Sequence, residues 1–262
     1  MRSRLTVTCV ALTLGALGAI GVAGCSSPVV EPPPPAYNGG LGQAKGASSY
    51  AAGPYGVGKG STIPNFDFIG YANAVTKSDT MQSISLGDFY NPHGRDASYK
   101  PASAAADDRK FPAGSQYGAG LPKPTVLAID VASVWCGPCN LEAKCDIPGL
   151  HAQYAPCGGG FLLQLQDGPN PGTAAVPKNL HSWASGYAEN FPTAIDPEAR
   201  LSALFSSDAF PGNFIVDLTT MKIVEIIAGV PDAAYWSQYE ALLADPSCPA
   251  KQTVPPKAAG CP

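Results

Sequence analysis

Charge is what this chain has least of. Only 14% of its 262 residues are Asp, Glu, Lys or Arg, the formal net charge is −4, and the cationic residues form no basic cluster. Nucleic-acid binding depends on a dense positive footprint that neutralises phosphates, so that class of function has no electrostatic support. Metal ligands in repeated pairs are missing too. Cys136 and Cys139 form a Cys-x-x-Cys, but no second such pair and no paired histidines follow. A structural zinc site takes four ligands, usually as two such pairs; Cys145 and Cys157 are available, but without a second pair the spacing favours a redox dithiol over zinc. His93, between Pro92 and Gly94, and His181, beside Trp183, are isolated and read as loop and helix trim. No metal and no cofactor is expected.

Glycine and proline are abundant, at 29 and 27 residues. At that density they do not sit inside helices and strands, so one core of moderate size must share the chain with long irregular stretches. Arg2 and Arg4 begin a short basic start, Leu5 to Ile20 is an apolar run, and Val22, Ala23, Gly24 and Cys25 follow. These residues resemble a bacterial lipobox, which implies a signal peptide over 1–24 and a lipidated Cys25. About twenty apolar residues suffice to span a membrane, but the run is rich in Gly and Ala and has no basic stop, which favours the lipoprotein. Ser26 stands where an aspartate would resemble an inner-membrane retention signal, so the outer membrane is favoured. Residues 25–60, with Pro32 to Pro35 in a row, read as a tether, and Tyr37, Tyr50 and Tyr55 within it as exposed. A domain is expected over 61–245 and a Pro- and Lys-containing tail over 246–262.

The organising stretch is VLAIDVASVWCGPCNLEA, residues 126 to 143: an apolar strand, Trp135-Cys136-Gly137-Pro138-Cys139, then a helix. Cys136 falls where unpaired backbone N–H groups and the helix dipole favour a thiolate, so it is the expected nucleophile. Cys139, one turn further in, is expected to be more buried and to attack once a mixed disulfide has formed on Cys136. Pro138 gives up an N–H that a helix start leaves unpaired anyway. Trp135 is expected to cover the sulfurs and offer a partner a flat apolar contact.

WCGPC after an apolar strand resembles the active site of the thioredoxin superfamily. Glu142, three residues after Cys139, completes WCxPCxxE, similar to the TlpA/ResA-like branch of exported, membrane-tethered thiol oxidoreductases. The resemblance implies an α/β thioredoxin-like fold, a central mixed sheet flanked by helices, with an N-terminal β-hairpin extension. It also implies that Asp130 is a buried aspartate. Either Asp130 or Glu142, if buried, would have a raised pKa and could take the Cys139 proton. As alternatives, Asp130 is a polar strand end and Glu142 a solvated helix position.

Ahead of this stretch, Pro64 to Ile69 and Ser83 to Tyr90 read as short strands, similar to the family's added hairpin. Residues 91–123 form a polar insertion rich in Gly and Pro. After it, Pro124 to Ser133 is the central strand and Cys136 to about Tyr154 the helix. Phe161 to Gln166 reads as a strand, and Leu180, Trp183, Ala184 and Tyr187 mark a helix. Phe191 to Asp196 and Asn213 to Asp217 are strand-like and each follows a proline, Pro192 or Pro211. The family places a cis-proline opposite its dithiol, and the order Pro211, NFIVD, turn, Ile223 to Ile227 resembles that hairpin, so Pro211 takes the role. Gly212 and Asn213 stand where a threonine is usual, which loosens the substrate contact implied for Pro211 and Gly212. Asp232 to Ala244 reads as the closing helix, capped by Asp232.

In an exported protein, Cys9 leaves with the signal and Cys25 carries lipid. The remaining six, Cys136, Cys139, Cys145, Cys157, Cys248 and Cys261, suggest the dithiol plus two structural bridges. Pairing neighbours, Cys145 with Cys157 and Cys248 with Cys261, is the simplest arrangement. A continuous helix would hold the first pair about 18 Å apart, so that bridge needs a break near Pro148 and Gly149.

The leading expectation is an envelope thiol-disulfide oxidoreductase, lipid-anchored and periplasm-facing. The resemblance implies disulfide-containing envelope partners, apocytochrome c among them, and a membrane-embedded thiol reductant. Gly-Pro between the cysteines resembles reducing thioredoxins. A redoxin-type peroxidase is the second reading: Ser133 fits, but the usual upstream proline and matching arginine are missing. A Sco-type copper carrier would want a wider cysteine spacing and a later histidine. A non-catalytic scaffold lipoprotein with a locked disulfide is the reading from outside enzymology.

Overall fold

The structure, a computed structural model, describes residues 50–56, 58–73, 81–187, 189–196, 198–201 and 209–262. The signal segment, Cys9, Cys25, Tyr37 and the tether up to residue 49 lie outside the described residues.

The fold is built around β3 (Val126–Ser133), whose eight residues are all buried. A strand buried on both faces is largely apolar and paired on both edges, and in β3 the exceptions are Asp130 and Ser133. β4 (Gly159–Asp167) pairs parallel to it on one side and β6 (Gly212–Asp217) antiparallel on the other. β5 (Thr193–Ile195) continues the parallel run, and β7 (Lys222–Ala228) closes the other edge against β6. β1 (Asp67–Tyr71) and β2 (Gln82–Ser85) pair antiparallel and join at β5, giving a seven-stranded mixed sheet in the order β2-β1-β5-β4-β3-β6-β7. Gly70 permits the β1–β5 junction, since a Cβ there would lie 2.0 Å from the Thr193 carbonyl oxygen.

Parallel neighbours need crossover connections, and right-handed crossovers in one direction put their helices on one face. The β3–β4 crossover carries α1 (Gly137–Cys145) and α2 (Ile147–Tyr154), and the β4–β5 crossover carries α3 (Pro177–Gly186). With α4 (Ala233–Glu240), they bury Cys139, Ala143, Ile147, Leu180, Trp183, Tyr235 and Tyr239 against one face of the sheet. The Asp232 side chain caps α4, accepting from the Tyr235 N–H at 2.9 Å. The break between the two active-site helices falls at Asp146, two residues before Pro148. Pro148 then occupies the first turn of α2, where its missing N–H costs nothing.

The opposite face is covered in part by segments that the sequence does not mark as structured, together with Phe89 of the second predicted strand, whose residues Leu86–Phe89 form a 3-10 turn. Ala51, Ile63, Phe89, Phe111 and Leu201 pack there against Leu127, Ile129 and Phe214. Residues expected in the tether are part of this layer. Tyr50 Oη donates to the Ile63 carbonyl at 2.8 Å, Gly60 N–H donates to Ile223 O, and Thr62 forms a bridge with Lys222, while Tyr55 stays exposed.

The neighbour pairing of cysteines is corrected. The bridges are Cys145–Cys261 and Cys157–Cys248. α2 lies between Cys145 and Cys157 and holds them apart, whereas the chain leaving α4 arrives beside Cys157, where Ala244 N–H donates to the Cys157 carbonyl. From Cys248 the tail passes Gly149, with Val254 near it, and reaches Cys145 at the end of α1. It is a strap stapled along α2.

Candidate active site

At the end of β3 the chain turns through Val134 and Trp135, and the Val134 N–H bonds to Asp167 O at the end of β4. Cys136 caps α1 in an extended conformation, its sulfur accepting the Cys139 N–H at 3.1 Å. Cys136 and Cys139 are joined as a disulfide. Cys136 keeps 2% of its surface exposed and Cys139 none, so Cys139 is the more enclosed of an already enclosed pair. A backbone N–H on sulfur at a helix N-terminus stabilises the thiolate once the bridge is opened. Asn140 braces the turn: its Nδ2 donates to the carbonyls of Val134 and Cys136, and its Oδ1 accepts from the Tyr187 hydroxyl after α3.

Two carboxyls are buried on the strand that leads into the dithiol and on the helix that carries it. Asp130 on β3 and Glu142 on α1 are 5% and 2% exposed; neither Asp130 oxygen has a hydrogen-bond partner, and neither does Glu142 Oε2. Burial holds both well above the usual carboxylate range, and the charge of Asp130 raises Glu142 further. Both line a cavity of about 10 Å³, together with Asn213 and Trp236 among others. The alternatives of a polar strand end and a solvated helix position are therefore excluded by burial.

Trp135 is 39% exposed, its Nε1 donating to Asp167 Oδ2 at 3.1 Å and its ring edge-on to Phe210, with centroids 5.7 Å apart. The Phe210–Pro211 peptide is cis, and Phe191–Pro192 is not among the cis bonds. Gly212 opens β6 opposite Val131, so Pro211 lies at the same end of the sheet as the dithiol. The fold is thioredoxin-like. The decisive combination is a dithiol at the N-terminus of the β3–β4 crossover helix, with a cis-proline opening the antiparallel neighbour of β3.

No family model matches the sequence, and no curated protein matches it. Among solved structures the chain is similar to a protein described as thiol:disulfide interchange protein DsbE from Chlorobium tepidum, with 17% identity, TM-score 0.44, and coverage of 69% of this chain and 94% of that one. It is also similar to the exposed lipoprotein thioredoxin Etrx1 of Streptococcus pneumoniae, at 14% identity and TM-score 0.41, covering 66% and 96%. The thioredoxin domain of a thiol-disulfide oxidoreductase from Bacteroides vulgatus gives 13%, 0.45, and 70% and 97%. The chemistry of this thioredoxin-like domain rests on its own residues.

Two residues of the site carry no sequence signal. Asp167 ends β4 and, besides Trp135, accepts the Gly172 N–H at 2.9 Å, so it fastens the following loop to the indole. Glu189 is wholly buried, accepts from Trp183 Nε1 at 3.1 Å through Oε1, and leaves Oε2 unpartnered. Burial, with the charge of Asp130 added, raises it well above the carboxylate range. His93 and His181 stay away from this cluster: His93 pairs with Asp108 and stacks on Tyr99, and His181 meets the Tyr71 hydroxyl. Among the described residues no group of three or more Cys, His, Asp or Glu is arranged to hold a metal, and no helix is long and apolar enough to cross a membrane.

Proposed function

We propose that this chain is an exported thiol-disulfide oxidoreductase that reduces disulfides in envelope proteins. The observation that carries the reading is the Cys136–Cys139 bridge at the N-terminus of α1, with Glu142 buried on that same helix and Asp130 buried on the strand that leads into it. In the reduced enzyme the Cys136 thiolate attacks a partner disulfide. A bond forms between Cys136 and one partner sulfur, and the other partner sulfur leaves as a thiolate and is protonated by water. Cys139 then gives its proton to the Asp130–Glu142 pair and attacks the Cys136 sulfur. The Cys136–Cys139 bridge forms, the second partner sulfur is released, and two electrons have passed to the partner. A thiol reductant, membrane-embedded in this reading, restores the dithiol. Trp135, Pro211 and Gly212 form the surface on which an extended substrate segment lies, and Cys25 anchors the protein to lipid facing the periplasm, in the outer membrane. Apocytochrome c is one substrate that this reading includes.

The peroxidase reading is weaker. Ser133 is wholly buried without a hydrogen-bond partner, and Arg95, Arg109 and Arg200 are engaged by Asp217, Asp107 and Glu198. The test is a Cys139→Ser chain expressed in its native envelope, with disulfide-linked partners identified by mass spectrometry. A defined set of captured envelope proteins supports the reductase. An empty trap in a folded protein, or full activity in Cys136→Ser, refutes it.

A further inference from the structure

Glu142 is 2% exposed, yet a carboxyl whose ionisation follows pH has to exchange its proton with water. Two cavities meet at this residue. One, of about 610 Å³, lies between the active-site helices and the C-terminal strap, lined by Glu142, Asp146, Leu150, Trp236, Val254 and Lys257 among others. The other is the cavity of about 10 Å³ that reaches Asp130, close to the least volume that holds one water. Glu142 and Trp236 are the residues that line both. The outer wall of the larger cavity is the strap. Cys157–Cys248 fixes one end, Cys145–Cys261 ties the other to the last residue of α1, and Lys257 Nζ meets Asp146 Oδ1 at 3.1 Å on the rim.

We infer that this vestibule is the route by which Glu142 exchanges its proton with solvent, and that the strap held by Cys145–Cys261 meters the water that reaches it. The inference rests on the oxidoreductase reading above and adds a positioning role for a segment remote from the sulfurs. When Cys139 attacks Cys136, its proton passes to the buried carboxylate pair. Glu142 then delivers that proton to vestibule water, so the step consumes nothing beyond what the exchange supplies. The ionisable groups around Glu142 are Asp130 on β3, Lys144 and Asp146 at the end of α1, Tyr235 on α4 and Lys257 on the strap. Burial is the largest cause holding the Glu142 carboxyl up, ahead of Asp130 and Asp146. Loosening the strap therefore wets the carboxyl and lowers its pKa, so the basic form is present at lower pH.

The test mixes the reduced full chain with the aromatic disulfide dithiobis-nitrobenzoate in a stopped-flow instrument across pH. The first thiolate released reports attack by Cys136, the second attack by Cys139. In Cys145→Ala/Cys261→Ala the midpoint of the second phase is expected to move down by about one pH unit, with the first phase unchanged. Val254→Ser keeps both bridges and adds no charge. It moves the midpoint the same way, which keeps the inference testable if the bridge-free variant does not fold. A strap with a merely structural role changes the melting temperature and leaves the profile in place. Second-phase profiles that superimpose on wild type in both strap variants, while Glu142→Gln slows that phase, overturn the vestibule alone. A second phase untouched by Glu142→Gln overturns the assignment of Glu142 as base, and the vestibule with it.

Discussion

Trp135 owes its orientation to one hydrogen bond and one ring contact, from Nε1 to Asp167 and from the indole edge to Phe210. An exposed indole without that bond would sample several rotamers, and a partner would have to order it on docking. Asp167→Ala is therefore expected to slow reduction of a protein disulfide about tenfold, the equivalent of about 1.4 kcal/mol of lost positioning. The rate with a small aromatic disulfide should stay within about twofold, since that substrate needs the Cys136 thiolate and little of the indole. Steady-state rates on the two substrates check this, and equal losses on both would assign Asp167 to the fold instead. The Cys136–Cys139 dithiol at the start of α1 and the acidic positions Asp130 and Glu142 around it are legible in WCGPCxxE and the strand before it, because spacing on one helix and one strand fixes them. Asp167 and Glu189 are not legible. An acidic residue at the end of an apolar strand, or just before one, looks the same in sequence whether it is solvated or clamped under an indole.

At the scale of elements, the 91–123 insertion is a built part of the domain. Arg95 Nη2 meets both oxygens of Asp217 at 2.8 Å and Thr219 Oγ1 at 2.9 Å, and Nη1 donates to Leu242 O at 2.9 Å. One guanidinium thus ties the insertion to the β6–β7 turn and the end of α4, while Phe111 and Tyr117 pack on Phe89. Arg95→Ala removes the ion pair of a partly buried carboxylate, leaving Asp217 only its Thr219 bonds and Leu242 O only its Thr125 bond, and is expected to cost about 2 kcal/mol. Arg95→Lys recovers only part of that, because an ammonium lacks the fork geometry. Urea unfolding measures both, with limited proteolysis expected to cut first within 91–123 in the alanine variant. Strands β3, β4, β6 and β7 are legible from their apolar runs, and α4 from its cap and face. The insertion is not, since its anchors are single polar residues reaching to distant turns. The disulfide pairing is also hidden, because neighbours in sequence are separated by α2 while the chain returning from α4 passes both ends of that helix.

For the whole molecule, buried ionisable groups make stability a function of pH with two opposing slopes. Asp130, Glu142 and Glu189 have folded-state pKa values raised above the ordinary carboxylate range by burial, so the native state holds more protons than the unfolded chain. Their contribution is full below the ordinary carboxylate pKa and is lost as pH rises towards the folded values. His151, packed against Phe161 and Phe191 with ring centroids 5.6 and 5.1 Å apart, is lowered by burial from 6.5 to about 4. Between those values the unfolded chain binds the extra proton, so stability from His151 rises with pH through that window and is lost as pH falls through it. His151→Phe should therefore flatten the acid limb, stabilising the protein at about pH 4.5 relative to wild type far more than at about pH 8. Glu189→Gln keeps an acceptor for Trp183 and cannot ionise. Its gain should be near zero at about pH 4 and grow by up to about 1.4 kcal/mol per pH unit above the ordinary carboxylate range, until the folded pKa is passed. Denaturant melts of the three chains at matched ionic strength decide it. If the Glu189→Gln gain does not change with pH, Glu189 is ionised in the native state and carries a fixed buried charge in place of an exchangeable proton.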